Sequence, residues 1–127
     1  MHKHHTPAKV AAPFSRYSHG VETQNAERWL MISGQVGVDP DGRLVEGATA
    51  QMEQAWRNIF AVLASAGMNA HNLVKITAFL TQREDLADFR EVRDRMLREA
   101  RPASSLIFVS GLADPAWLVE IEAVAAS

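Results

Sequence analysis

A chain of 127 residues is long enough for one domain with a real hydrophobic core. Its 47% hydrophobic and 22% charged residues and formal net charge of -2 are those of an ordinary soluble globular protein, without the basic footprint of a nucleic-acid binder. The absence of cysteine excludes disulfides, thiolate metal sites and cysteine nucleophiles, and no apolar run approaches membrane-spanning length.

Residues 1–13 carry His2, Lys3, His4 and His5 and read as a flexible segment ahead of a single domain spanning 14–127. Their histidines are not taken as a metal site. No apolar secretory core follows, so a cytoplasmic location is expected. Phe14 to Val21 reads as a first strand with Tyr17 and His19 on one side, and Gln24 to Arg28 as a turn. Trp29 to Gln35 is the second strand; Gly34 marks a bulge or a close approach, with Ser33 accessible beside it. Asp39-Pro40-Asp41-Gly42 is a strong turn signal.

Ala48 to Ala66 carries Met52, Ala55, Trp56, Ile59, Val62, Leu63 and Ala66 at spacings of three and four, one apolar stripe on a helix. Gly67 is placed to end it. Gln51, Glu53, Arg57 and Ser65 fall on the expected wet side. Leu73 to Leu80 returns to a period of two, with Val74, Ile76, Ala78 and Leu80 opposite Lys75, Thr77 and Phe79. Glu84 to Arg98 is a second amphipathic helix with Leu86, Phe89, Val92 and Met96 inward and its charges read as a solvated face. Ser104 to Ser110 forms the next strand, followed by a turn at Asp114-Pro115.

The final strand, Leu118 to Ala125, is apolar except for Glu120 and Glu122. Alternation puts both carboxylates on one face, about 6.5–7 Å apart, with Leu118 and Val124. Two readings stay open: an ordinary solvent face, or a site where a carboxylate handles a proton or a water. Two helices cover one face of a four- or five-stranded sheet. The other face also carries apolar residues, so the economical arrangement is a homo-oligomer with sheet faces packed together and ligand clefts between subunits.

These pieces fall into an ordered set: Tyr17-Ser18-His19-Gly20-Val21, Ile32-Ser33-Gly34-Gln35-Val36, Val74-Lys75-Ile76-Thr77-Ala78-Phe79-Leu80, Asp88-Phe89, Pro102-Ala103-Ser104-Ser105 and Val119-Glu120-Ile121-Glu122-Ala123. From about Phe14 to Ala125 the chain resembles the RidA/YjgF family of small trimeric proteins, several of which are imine or enamine deaminases. The resemblance implies a chorismate-mutase-like α+β fold, mainly antiparallel, with two helices on one face of the sheet. It implies a homotrimer with three intersubunit clefts for a small molecule, no cofactor and no metal.

Carried over by position, the resemblance gives Glu120 the role of holding or activating water. It gives Tyr17 a hydrogen bond to substrate or a proton shuttle. Ser33, Ser104 and the Leu106 backbone would position the ligand, and Phe89 would wall the cleft or serve as plain core. One departure stands out. The deaminating members carry an arginine that grips the substrate carboxylate, and here that position is Ser104, whose hydroxyl cannot replace a cationic fork. The usual amino-acid-derived imines are therefore not the expected substrates. Arg101, three residues before Ser104, and Arg16, beside Tyr17, would compensate if either reached the cleft; both read as surface residues.

Two functions follow. One is hydrolysis of a C=N bond or its enamine tautomer with release of ammonia; the other is a homotrimer that binds a metabolite, or serves regulation, without chemistry. Ribonuclease or translation-inhibitor activity, claimed for some relatives, finds neither a basic stripe nor a suggestive histidine pair. Chorismate mutase chemistry would need cationic groups for two carboxylates that the cleft positions lack.

Overall fold

The computed structural model describes residues 1–127. In chain order the strands and helices are β1 (His2–His5), β2 (Gly20–Thr23), β3 (Trp29–Gln35), α1 (Ala48–Ser65), β4 (Leu73–Leu80), α2 (Leu86–Leu97), β5 (Ala103–Phe108) and β6 (Val119–Ala126). The main sheet runs β3-β6-β4-β5. β6 is antiparallel to both of its neighbours, and β4 pairs with β5 in parallel. The expected α+β architecture is what forms: a mainly antiparallel sheet with two helices over one face.

Period-two alternation decides which atoms the helices cover. Val119, Ile121, Ala123 and Ala125 of β6 are buried, as are Ile76, Ala78 and Leu80 of β4. Against them α1 lays Met52, Ala55, Trp56, Ile59 and Leu63, all fully buried, and α2 adds Phe89 and Val92. Helix α1 stops where the sequence indicates. Gly67 adopts φ 71°, its N–H bonds to Ala64 O at 3.0 Å, and the Met68 N–H reaches back to Leu63 O at 2.9 Å. That pair of bonds satisfies the end carbonyls, and the buried Met68 and Leu63 close the turn hydrophobically.

Three local readings change. The histidine segment is a strand: His2–His5 pairs antiparallel with Gly20–Thr23, and His2 Nε2 lies 3.0 Å from the Asn72 carbonyl. Residues 14–19 form bends rather than a strand, and the strand begins at Gly20. Gln51, expected on the wet side of α1, is only 3% exposed. Its amide oxygen accepts from Leu118 N at 2.9 Å and its amide nitrogen donates to Ala116 O at 3.2 Å, which fixes the chain entering β6.

The second face of the sheet stays uncovered within the chain. Register puts Met31, Val124, Phe79, Glu120, Glu122 and Ile107 on it. Met31 on edge strand β3 is 67% and Ile107 on edge strand β5 44% exposed, so the open face carries apolar side chains at both of its edges.

Candidate active site

A pocket of about 280 Å³ opens where the edge strand β5 passes under α2. Alternate residues of β5, Ser104, Leu106 and Phe108, form its floor. Leu86, Arg90 and Arg93 of α2 form one wall; their spacings of four and three put them on one stripe of the helix. Phe14, Ser15 and Tyr17 close the other side.

That third wall is irregular chain, so its position depends on side-chain anchors. Ser18 is the main one, at 5% exposed. Its hydroxyl donates to Arg101 O at 2.7 Å, and its N–H bonds to Pro102 O at 3.4 Å. Because the hydroxyl proton is committed, His4 Nδ1, at 2.7 Å, is the donor to Ser18 Oγ. Tyr17 stacks edge-on against His19 at 5.8 Å between centroids, and His19 Nε2 donates to Ala11 O at 2.6 Å. The Tyr17 hydroxyl oxygen accepts from Phe14 N at 3.4 Å. Beside the pocket, the Arg83 guanidinium lies 4.7 Å from the centroid of the Phe108 ring, a cation–π contact.

The structure thus brings Tyr17, Ser104 and Leu106 together. It puts Glu120 and Ser33 elsewhere. Leu106 pairs with Ala78, on the helix-covered face, whereas Glu120 pairs with Phe79 and so with Ile107, on the open face. Half-buried Glu120 lies beside exposed Ser33 and Gly34 at the bulge between Ile32 and Gln35. A Cβ at Gly34 would overlap the Glu120 carboxylate, so the close approach expected of that glycine is to this side chain. Phe89 is fully buried in the core and does not line the pocket; of its two readings, the chain places it as core.

Neither Arg16, which precedes Tyr17, nor Arg101, three residues before Ser104, lines the pocket. Arg16 Nη2 donates to Arg98 O at 2.8 Å. The cations in the pocket are Arg90 and Arg93, on a helix whose charges are expected to face solvent. Arg93 is 4% exposed, and its Nε and Nη2 both donate to Asp94 Oδ1, at 3.1 and 3.0 Å. The helical offset of Arg93 from the Phe89–Val92–Met96 stripe was the available signal.

A family model described as Endoribonuclease L-PSP matches residues 7–127. A RutC family protein of Aquifex aeolicus is 35% identical over 120 residues, 92% of this chain and 93% of that one. The 2-iminobutanoate/2-iminopropanoate deaminase of Mus musculus is 34% identical over 119 residues, 92% of this chain and 85% of its own. Among solved structures, the Rid family protein YyfB of Yersinia pestis, itself of unknown function, matches with a TM-score of 0.90 at 33% identity, covering 99% of this chain and 98% of its own. With its fold, its ordered motifs and these relatives in agreement, the chain belongs to the RidA/YjgF family.

Proposed function

We propose that the protein is a homotrimer that hydrolyses a small imine or its enamine tautomer to a carbonyl compound and ammonia. The observation that carries this is the division of the site. Tyr17, Ser104 and Leu106 lie on the helix side of edge strand β5, while Glu120 and Ser33 lie on the uncovered face. One chain alone cannot bring the two sets to one substrate. Packing the open face of one protomer against the β5 edge of the next joins them and buries Met31 and Ile107 at the same time.

In the joined cleft, Glu120 orients water and takes its proton as the oxygen attacks the carbon of a protonated imine. The resulting carbinolamine receives that proton on nitrogen; Glu120 then takes the hydroxyl proton as the C=O bond forms, the C–N bond breaks and ammonia leaves, carrying that proton away as ammonium. Tyr17 hydrogen-bonds the substrate or relays the proton, and Ser33, Ser104 and the Leu106 main chain set its position. The substrate cation is already electrophilic, so the scheme uses no cofactor. Support also comes from the deaminase relatives of mouse and Bos taurus, 34% and 36% identical. No histidine lines the pocket, which gives an RNA-cleaving reading no acid–base pair there.

The test is release of carbonyl compound and ammonia from a panel of freshly generated imines, with and without a carboxylate, together with the mass of the particle in solution. Wild type is expected to accelerate release and Glu120→Ala to lose the acceleration. Equal rates in the two proteins would remove Glu120 from the mechanism, and no rate above buffer would leave a trimer that binds its ligand without chemistry.

A further inference from the structure

The pocket floor has a neutral serine where a cation would be useful, yet two guanidinium groups reach the same pocket from the opposite wall. Arg93 is buried and half committed: one carboxylate oxygen of Asp94 takes two of its N–H groups. Arg90 sits one helical turn earlier, half-buried on the same stripe, and takes part in none of the chain's ion pairs. Arg83 is occupied on the Phe108 ring. Asp94 therefore offsets one of the two lining charges, and one remains. The rest of the lining is apolar or hydroxylic: Leu86, Leu106, Phe108, Tyr17 and Ser104.

We propose that Arg90, backed by Arg93, is the anion subsite of this pocket and selects small ligands with one carboxylate next to a short apolar body. Helix α2 thereby supplies the charge that strand β5 lacks. A single uncompensated guanidinium matches a monoanion, and its planar fork matches a carboxylate. A dianion would keep one negative charge in a half-buried, largely apolar site, which is costly. The pocket volume is at the low end for small-ligand sites. On this account the Ser104 substitution moves the carboxylate across the pocket rather than abolishing its recognition, and 2-imino acids return as substrates. The inference rests on the reading of the pocket as the substrate site, but binding alone tests it.

The experiment titrates the full-length protein with 2-oxobutanoate, an unreactive carboxylate of the right class, by calorimetry or NMR. Wild type is expected to show saturable binding that weakens with added salt. Arg90→Ala should weaken it by about ten- to a hundredfold, Arg90→Lys should retain part of it, and the uncharged methyl ester should not compete. Imine hydrolysis is measured beside binding on the wild-type protein: saturable, Arg90-dependent binding without hydrolysis would remove the hydrolysis reading and keep the subsite, so the two failures are separate results. Arg90 is half-buried at the pocket, so its variants are checked for an unchanged unfolding midpoint; Arg93→Lys, which keeps the buried charge, provides the second site and should weaken binding too. No saturable binding to wild type, equal binding to Arg90→Ala, an ester that competes as well as the acid, or tighter binding of inorganic phosphate would each overturn the proposal.

Discussion

Gly34 and Glu120 are matched across the β3–β6 bulge: the missing side chain of the first is the space occupied by the carboxylate of the second. Only the flexible end of Glu120 blocks a Cβ there, so Gly34→Ala should fold and move the carboxylate instead. Displacement of a water-activating group by about 1 Å costs roughly 10²-fold in rate. Steady-state kcat/KM on fresh imines, read beside a near-normal urea midpoint, checks this. A variant with wild-type kcat/KM would mean that the carboxylate position does not matter.

The open sheet face makes its own prediction. Met31 and Ile107 are exposed apolar residues in the isolated chain, 67% and 44%. Buried between copies, they would not tolerate a charge. Met31→Lys with Ile107→Lys should shift the particle from trimer to monomer mass in light scattering and remove imine hydrolysis, while the far-ultraviolet dichroism stays. A double variant that still sediments as the wild type does would place the interface elsewhere.

Gln51 joins α1 to the entrance of β6 through Leu118 N and Ala116 O. Truncation leaves a part-buried main-chain donor without a partner, a loss of about 1–3 kcal/mol. Gln51→Ala should lower the urea unfolding free energy by that amount. A change well below 1 kcal/mol would mean that water replaces the amide.

Asp85 precedes α2 with one carboxylate oxygen buried and unpartnered. Burial first, and then the neighbouring charges of Glu84 and Asp88, raise its pKa above the ordinary carboxylate value. The folded chain therefore holds this proton more tightly than the unfolded chain. The stabilisation is complete below the unfolded pKa and is lost as pH rises through the folded one. At about pH 7 the ionised group is a net cost, so Asp85→Asn should be more stable than wild type there. The advantage should vanish as pH falls into the ordinary carboxylate range, and unfolding midpoints across that range measure it. An advantage that persists in acid would trace to something other than ionisation.

The sequence made the regular elements legible because their patterns are local. The α1 stripe from Met52 to Leu63, the Gly67 stop and the alternation of β4 and β6 each follow from residues a few positions apart. What it hid depends on distant partners. His2–His5 has no apolar alternation; it becomes a strand because Gly20–Thr23 pairs with it. Ser18 and Gln51 are polar residues buried by acceptors and donors 83 and 67 positions away. Phe14 to His19 looks strand-like in composition but is held as bends by such anchors. Arg93 sits beside the inward stripe of α2, and only the passage of β5 beneath the helix turns that position inward. The expected site divided for the same reason: Ser104 and Glu120 are fixed by register, which put them on opposite faces, and Tyr17 is held beside Ser104 by the distant anchors of Ser18.

The order β3-β6-β4-β5 has a consequence for how the sheet assembles. β6 follows β3 and β4 in sequence yet lies between them, so neither has its shared neighbour until that distant segment has docked. Trp29 must wait for Ala126, a separation that favours slow, late assembly. Glu120 arrives with that strand, so the carboxylate enters the sheet only as the fold closes.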